Sequence, residues 1–169
     1  MSRRTVFRYF PTRMALLAAA LRDSLQRYRE HVPELGVSDD VDAWLSTALV
    51  AIHSLNARSG RVYLQLALES EMPAELAGVY EERRNMRVAL VSEFTTAAFA
   101  AAGGVGEPPG WLFDAFAVHL SPFATKALAA DFDRSAEESG RAAADILSAA
   151  VRFAVDHVTI SAPRRGSAR

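Results

Sequence analysis

Hydrophobic residues recur three and four positions apart over most of this 169-residue chain, and no stretch alternates with the period of two that is typical of strands. The predicted fold class is therefore all-α. The predicted helices cover about 12–31, 41–55, 59–69, 73–98, 111–131 and 135–158.

Residues with known preferences for helix ends mark these boundaries. Thr12 and Ser38 can each cap a helix N-terminus, and Ser135 forms a capping box with Glu138. Pro122 lies inside the stretch 111–131, where we expect it to kink or break the helix. The run Gly-Gly-Val-Gly-Glu-Pro-Pro-Gly over 103–110 has the composition of a loop, and we interpret it as a connection within one domain.

The composition allows one domain with a full core, because half of the residues are hydrophobic. The formal net charge is −1, but the positive charge is concentrated at one end. Four arginines lie within the first 13 residues, well before the first acidic residue, Asp23. These arginines are Arg3, Arg4, Arg8 and Arg13.

Several function classes find no support in the sequence. The chain has no cysteine, which excludes disulfides, thiolate catalysis and thiolate metal sites. It has neither the hydrophobic segment of a signal peptide nor a stretch long enough for a transmembrane helix, so we expect a cytoplasmic protein that does not bind membranes.

An enzyme is not expected either. The histidines His31, His53, His119 and His157 fall on four separate segments without metal-ligand spacing. Neither a Gly-x-Ser-x-Gly elbow nor a phosphate-binding loop occurs, and the glycines of 103–110 lack the spacing of a dinucleotide site. We therefore predict no metal, no cofactor and no catalytic residue.

The arginine-rich N-terminus has the chemistry of a DNA-reading helix. Arginine on a helix reads guanine edges or grips phosphates, and the hydroxyl groups of Thr5 and Tyr9 suit phosphate oxygens. The alternative is a solvated basic arm with no role in nucleic-acid binding. The residues that can share one face of this helix are Arg3, Arg4, Phe7 and Arg8.

The segment that runs from Thr5 and Val6 through Phe10-Pro11-Thr12-Arg13 to Leu16-Leu17 resembles the recognition helix of the TetR/AcrR family of bacterial transcriptional regulators. The resemblance implies a homodimeric repressor that binds operator DNA through a helix-turn-helix. It assigns Arg3, Arg4 and Phe7 to base-facing positions, with Arg8 on the same face, and Thr5, Tyr9 and Arg13 to phosphate contacts. Met14 departs from the family, which usually has a polar or acidic residue there.

In that family the recognition helix is the third helix, whereas almost nothing precedes it in this sequence. The expected domains are an incomplete helix-turn-helix over 1–11, a helical ligand-sensing and dimerisation domain over 12–160, and a disordered basic tail over 161–169. An isolated helix shorter than about 12 residues is marginal in water, so we expect weak or no DNA binding by this chain.

Two hypotheses account for the missing helices. The first is that Met1 is not the native start, which an upstream reading frame encoding two helices would support. The second is a helical dimerisation and ligand-binding module without DNA binding, which sequesters full-length partners.

The resemblance also implies that the last two helices pair with those of a second subunit. The alternative is that the same hydrophobic stripe forms the core of a single chain. The candidate interface residues are Leu120, Phe123, Leu128, Ile146, Leu147, Ala150, Phe153 and Ala154.

A small-molecule effector is expected to bind among the middle helices. Aromatic side chains with a few polar groups suit a small apolar or aromatic molecule with one or two hydrogen-bonding groups, although aromatics at helical spacing also suit a core. The candidate ligand-binding residues are Trp44, His53, Tyr63, Tyr80, Phe94, Trp111, Phe116 and His119.

Overall fold

The computed structural model describes residues 9–31, 33–34, 40–67 and 74–161. Within these ranges the chain forms six α-helices and no strand, which confirms the predicted all-α class. None of the described helices is long and apolar enough to cross a membrane. The helices are α1 (Arg13–His31), α2 (Val41–Ala67), α3 (Ala74–Ala101), α4 (Gly110–His119), α5 (Pro122–Phe132) and α6 (Ala136–Ser161).

Side-chain caps begin the helices α1, α2 and α6. The hydroxyl of Thr12 accepts a hydrogen bond from the Ala15 N–H at 3.0 Å, as predicted. Ser135 and Glu138 form the predicted capping box, with the Glu138 N–H donating to Ser135 Oγ at 3.1 Å and the Ser135 N–H donating to Glu138 Oε2 at 2.8 Å. At α2 the cap is Asp40, whose Oδ1 accepts from the Asp42 N–H at 2.9 Å, whereas Ser38 lies outside the described residues.

The division of the second helical region into two helices was wrong. The chain continues from Val41 to Ala67 as one helix, so the predicted break before Ser59 does not exist. Gly60 is buried in this helix, and a Cβ atom there would lie 3.1 Å from Cβ of Pro122. The glycine therefore gives α5 room to approach α2, where the sequence pattern indicated a helix end.

Two helix ends are built as the sequence predicted. The helix α3 ends in a Schellman motif, in which Gly103 has a φ of +91° and the Gly104 N–H donates to the Phe99 carbonyl at 2.9 Å. Pro122 breaks the region 111–131 rather than kinking it, because Ser121 caps a new helix through a 3.1 Å hydrogen bond from the Phe123 N–H.

The main core joins α2 to α6, and α1 packs through a smaller cluster. The helices α2 and α6 lie so close that a Cβ atom on Gly140 would be 2.6 Å from the Cα of Val50. The α1 cluster consists of Met14, Leu17, Ala18, Leu76 and Val79. The largest hydrophobic side chains of the main core that are completely buried are Phe99, Phe116, Leu45, Leu49, Ile52, Leu112, Leu147, Val91 and Val151.

Candidate functional site

Two of the seven predicted DNA-binding residues fall within the described part of the chain. Arg3, Arg4, Thr5, Phe7 and Arg8 lie outside the described residues. The two that are described are exposed: Tyr9 is a solvent-accessible aromatic residue, and Arg13 is the first residue of α1, directly after its cap.

Three of the predicted effector-binding aromatics belong to the packed core. The rings of Trp44 and Phe94 lie 4.8 Å apart between their centroids, and Phe116 is fully buried. The indole N–H of Trp44 donates to the Pro33 carbonyl at 2.9 Å, which ties the segment before α2 to the core. The hydrogen-bonding group of this tryptophan is thus already used within the chain.

His53 lies at the centre of a buried polar cluster that joins three helices. Its Nε2 atom is 3.1 Å from the carbonyl oxygen of His119, the last residue of α4. Its Nδ1 atom is 3.0 Å from Oγ1 of Thr125 in α5, and the same hydroxyl oxygen accepts from the Asn56 amide at 3.3 Å. A carbonyl can only accept, so Nε2 carries the proton and Nδ1 accepts from the Thr125 hydroxyl.

Both ring nitrogens of His53 are therefore occupied, and the environment keeps the ring neutral. Burial of the ring lowers the pKa of His53, because a charged imidazolium is poorly solvated there. Burial also lowers the pKa of His119. The hydrogen bonds of the cluster fix the end of α4 and the start of α5 against α2, so the role of this histidine is structural.

The other predicted effector residues lie apart from this core. Tyr80 is partly buried in α3, and the side chain of Tyr63 is outside the described part of the structure. Trp111 is half-exposed and makes an edge-to-face contact with Phe153, with 5.8 Å between the ring centroids. The seven candidates whose side chains are described are thus spread over the core, the buried polar cluster and more exposed positions, and the role of all eight in ligand binding stays a prediction.

A groove that the sequence did not indicate runs between α3, α4 and α5. Its volume is about 700 Å³, and it is open to solvent. Arg87 lies half-buried at its wall, where its Nη2 donates to the Ala117 carbonyl at 2.5 Å. The lining residues are Arg87, Asp114, Ala117, Val118, Ser121, Phe123, Ala124 and Ala127.

One signal in the sequence could have identified Arg87. It lies four residues before Val91 and seven before Phe94, so it is in register with the hydrophobic stripe of α3. A charged residue on the buried side of a helix needs an explanation. The rest of the groove could not be found in this way, because alanines carry no distinctive signal.

The predicted interface residues separate into buried and exposed sets. Leu147 and Ala154 have no exposed surface, and Leu120 is 5% exposed, so these three side chains pack within one chain. Leu128 and Ala150 are partly buried. The exposed ones are Phe123, Ile146 and Phe153, at 45%, 51% and 54%.

Of the exposed residues, Phe123 lies on α5, whereas Ile146 and Phe153 belong to a second hydrophobic face of α6. Ala142, Ile146, Ala149 and Phe153 are all exposed and follow one another at intervals of four, three and four residues. We call these four residues the α6 outer face. Phe153 stacks on His157 with 3.8 Å between the ring centroids and also contacts Trp111, so the hydrophobic surface extends onto α4.

The part of the chain that the structure describes brings together no group of three histidine, aspartate or glutamate side chains that could hold a metal ion. No family model, curated protein or solved structure matches the chain.

Proposed function

We propose that this chain is a TetR-like transcriptional regulator that acts as a homodimer. In this proposal α2 to α6 form the dimerising and ligand-sensing body, and the arginine-rich segment from Arg3 to Arg13 contacts operator DNA. The resemblance of that segment to a recognition helix supports the DNA-binding part. The structural observation that carries the homodimer is the α6 outer face.

A helix that packs in a single chain needs one hydrophobic stripe, and α6 has two. One stripe, which includes Leu147, Val151 and Ala154, is buried in the main core. The α6 outer face remains exposed, and its spacing is that of a helix seam. Contiguous exposed hydrophobic surface commonly marks a protein interface, because its burial releases ordered water.

Small and large residues alternate on this face, which favours a second copy of the same helix as its partner. Ala142 and Ala149 leave space where a partner's Ile146 or Phe153 can insert, and a two-fold axis repeats this fit in both directions. Phe153 and Trp111 are the aromatic anchors that interfaces prefer.

The homodimer is tested by sedimentation equilibrium of the full chain. We expect a dimer for the natural sequence and a monomer for the double variant Ile146→Lys, Phe153→Lys, because two desolvated ammonium groups would oppose association. The matched control is Ser92→Lys, Thr96→Lys, which adds the same two positive charges at exposed positions of α3, away from the α6 outer face. A monomeric natural chain, or equal dissociation of both variants, would contradict the proposal.

DNA binding is a separate readout, measured by mobility shift at controlled salt with the DNA beside the gene. We expect weak, salt-sensitive binding that Arg3→Gln, Arg4→Gln abolishes. The control variant Arg164→Gln, Arg165→Gln removes the same charge from the other terminus and should bind as before. A dimer that binds no DNA at low salt would favour the alternative function, a dimerisation and ligand-binding module without DNA binding.

A further inference from the structure

We propose that the groove between α3, α4 and α5 binds an amphiphilic carboxylate. The carboxylate would pair with Arg87, and an aliphatic chain would lie along the alanines, Val118 and Phe123. This inference names the ligand class and the site for the effector of the proposed function. Its role as an effector site rests on that function, whereas binding itself does not.

The charge of Arg87 lacks a counter-ion among the described residues. Its one described hydrogen bond goes to the Ala117 carbonyl, which orients the guanidinium but carries no full negative charge. The described ion pairs involve other residues. A guanidinium has five N–H donors in a planar fork, and a carboxylate can accept two of them in parallel.

The rest of the groove suits an aliphatic chain. Ala117, Ala124 and Ala127 have small side chains, which leave space in the groove for a ligand. Val118 and Phe123 are 60% and 45% exposed, so a ligand would cover their hydrophobic surface. The volume of about 700 Å³ falls within the usual range of small-molecule sites, roughly 300–1,000 Å³. The open side predicts modest affinity, since part of the ligand stays in water.

Asp114 allows a test of the sign of the ligand's charge. It lies in the same groove and forms no ion pair with Arg87 among the described contacts. Its negative charge opposes a bound carboxylate and would favour a bound amine. Removing this charge should therefore tighten the binding of an anion, whereas loss of Arg87 should weaken it.

The experiment is isothermal titration calorimetry of the full chain with octanoate and octan-1-ol, which share an eight-carbon skeleton and differ in charge. We expect one octanoate site per chain, with affinity about tenfold above that of octan-1-ol, as for a partly exposed charge-assisted hydrogen bond. Absence of saturable octanoate binding, or equal affinity for the two molecules, would overturn the proposal.

Matched variants locate the site. Arg87→Gln should reduce octanoate affinity about tenfold, to the level of octan-1-ol, and Asp114→Asn should raise it severalfold. The control is Arg84→Gln, which removes an exposed arginine from the same helix one turn earlier. Equal weakening by the two arginine variants would indicate general charge attraction and refute a specific site.

A second pair of variants does not depend on Arg87, whose replacement could also disturb its contact with α4. Ala124→Phe fills the groove from α5 and should block octanoate and octan-1-ol alike. Ala129→Phe adds the same ring at an exposed position of α5 outside the groove and should change neither affinity. Unchanged binding to Ala124→Phe would exclude this groove as the site, whatever the outcome of the dimer and DNA measurements.

Discussion

At the scale of single residues, His53 was predicted to bind a ligand, but its ring connects helices of the same chain. Both nitrogens of its ring have partners inside the chain, the His119 carbonyl and the Thr125 hydroxyl. These partners lie on either side of the break between α4 and α5. A neutral ring suits both hydrogen bonds, whereas a second proton on Nδ1 would require the Thr125 hydroxyl to turn and accept instead of donate.

This arrangement predicts that stability falls as the pH drops below about 6.5. The pKa of His53 is lowered by burial, so the unfolded chain binds a proton at a pH where the folded chain does not. The histidine contribution is fully present above the unfolded pKa and is lost progressively on acidification. Between pH 7 and pH 5 this loss amounts to at most about 2 kcal/mol for one histidine.

Urea unfolding at pH 7 and pH 5 measures the effect. In His53→Gln, which can keep a donor and an acceptor but does not titrate, the difference in unfolding free energy between the two pH values should shrink. Part of it should remain, because burial also lowers the pKa of His119. The exposed His157 supplies the control, and a similar reduction in His157→Gln would contradict the assignment to His53.

At the scale of helices, the crossing of α2 and α6 depends on the absence of a side chain. Gly140 is buried, and a Cβ atom there would lie 2.6 Å from Val50 Cα, 2.8 Å from Val50 N and 2.9 Å from the Leu49 carbonyl oxygen. All three are backbone atoms, which cannot rotate aside as a flexible side chain would. The two helices must separate if any other residue replaces this glycine.

Gly140→Ala should therefore lower the unfolding free energy by about 1–3 kcal/mol, the usual cost of overpacking, despite the higher helix propensity of alanine. Gly78→Ala is the matched control, because each glycine is the fifth residue of its helix and Gly78 has no atom within 4 Å of its would-be Cβ. The control should gain about 0.5–1 kcal/mol. Urea denaturation of both variants tests the pair, and a neutral Gly140→Ala would show that the helices yield easily.

At the scale of the whole molecule, dimerisation and folding are coupled if the α6 outer face is an interface. Association that favours the folded state raises the midpoint of unfolding as the protein concentration rises. We expect the thermal midpoint to increase with concentration for the natural chain and to stay constant for Ile146→Lys, Phe153→Lys. A midpoint independent of concentration in both would indicate that one chain is stable without a partner.

The sequence was sufficient for features that depend on neighbouring residues. The caps at Thr12 and Ser135, the turn after Ala101 and the break before Pro122 all follow from local chemistry. It failed where a distant segment decides the structure. Gly60 lies inside the continuous helix α2 at the point where α5 approaches, and periodicity along the chain does not reveal this contact.

The candidate site was less predictable for the same reason. The exposed face and the buried face of α6 both contain hydrophobic residues, so Ile146 and Leu147 could not be told apart before the packing of α2 was known. The groove is built from three helices, and its volume depends on their separation. Of the groove residues, only Arg87 could have been identified from the sequence, because it is in register with the hydrophobic residues of α3.

The helix α3 connects two regions of the molecule. Near its N-terminal end Leu76 and Val79 pack against α1, and farther along Arg87 lines the groove. Leu76 and Arg87 are separated by about 16 Å along the axis, at 1.5 Å per residue. A tilt of about 5° pivoting at Arg87 would displace the end that carries α1 by about 1.4 Å over this lever arm. A ligand bound beside Arg87 that tilts α3 would thus shift α1 and change the orientation of Arg13, the first residue of α1.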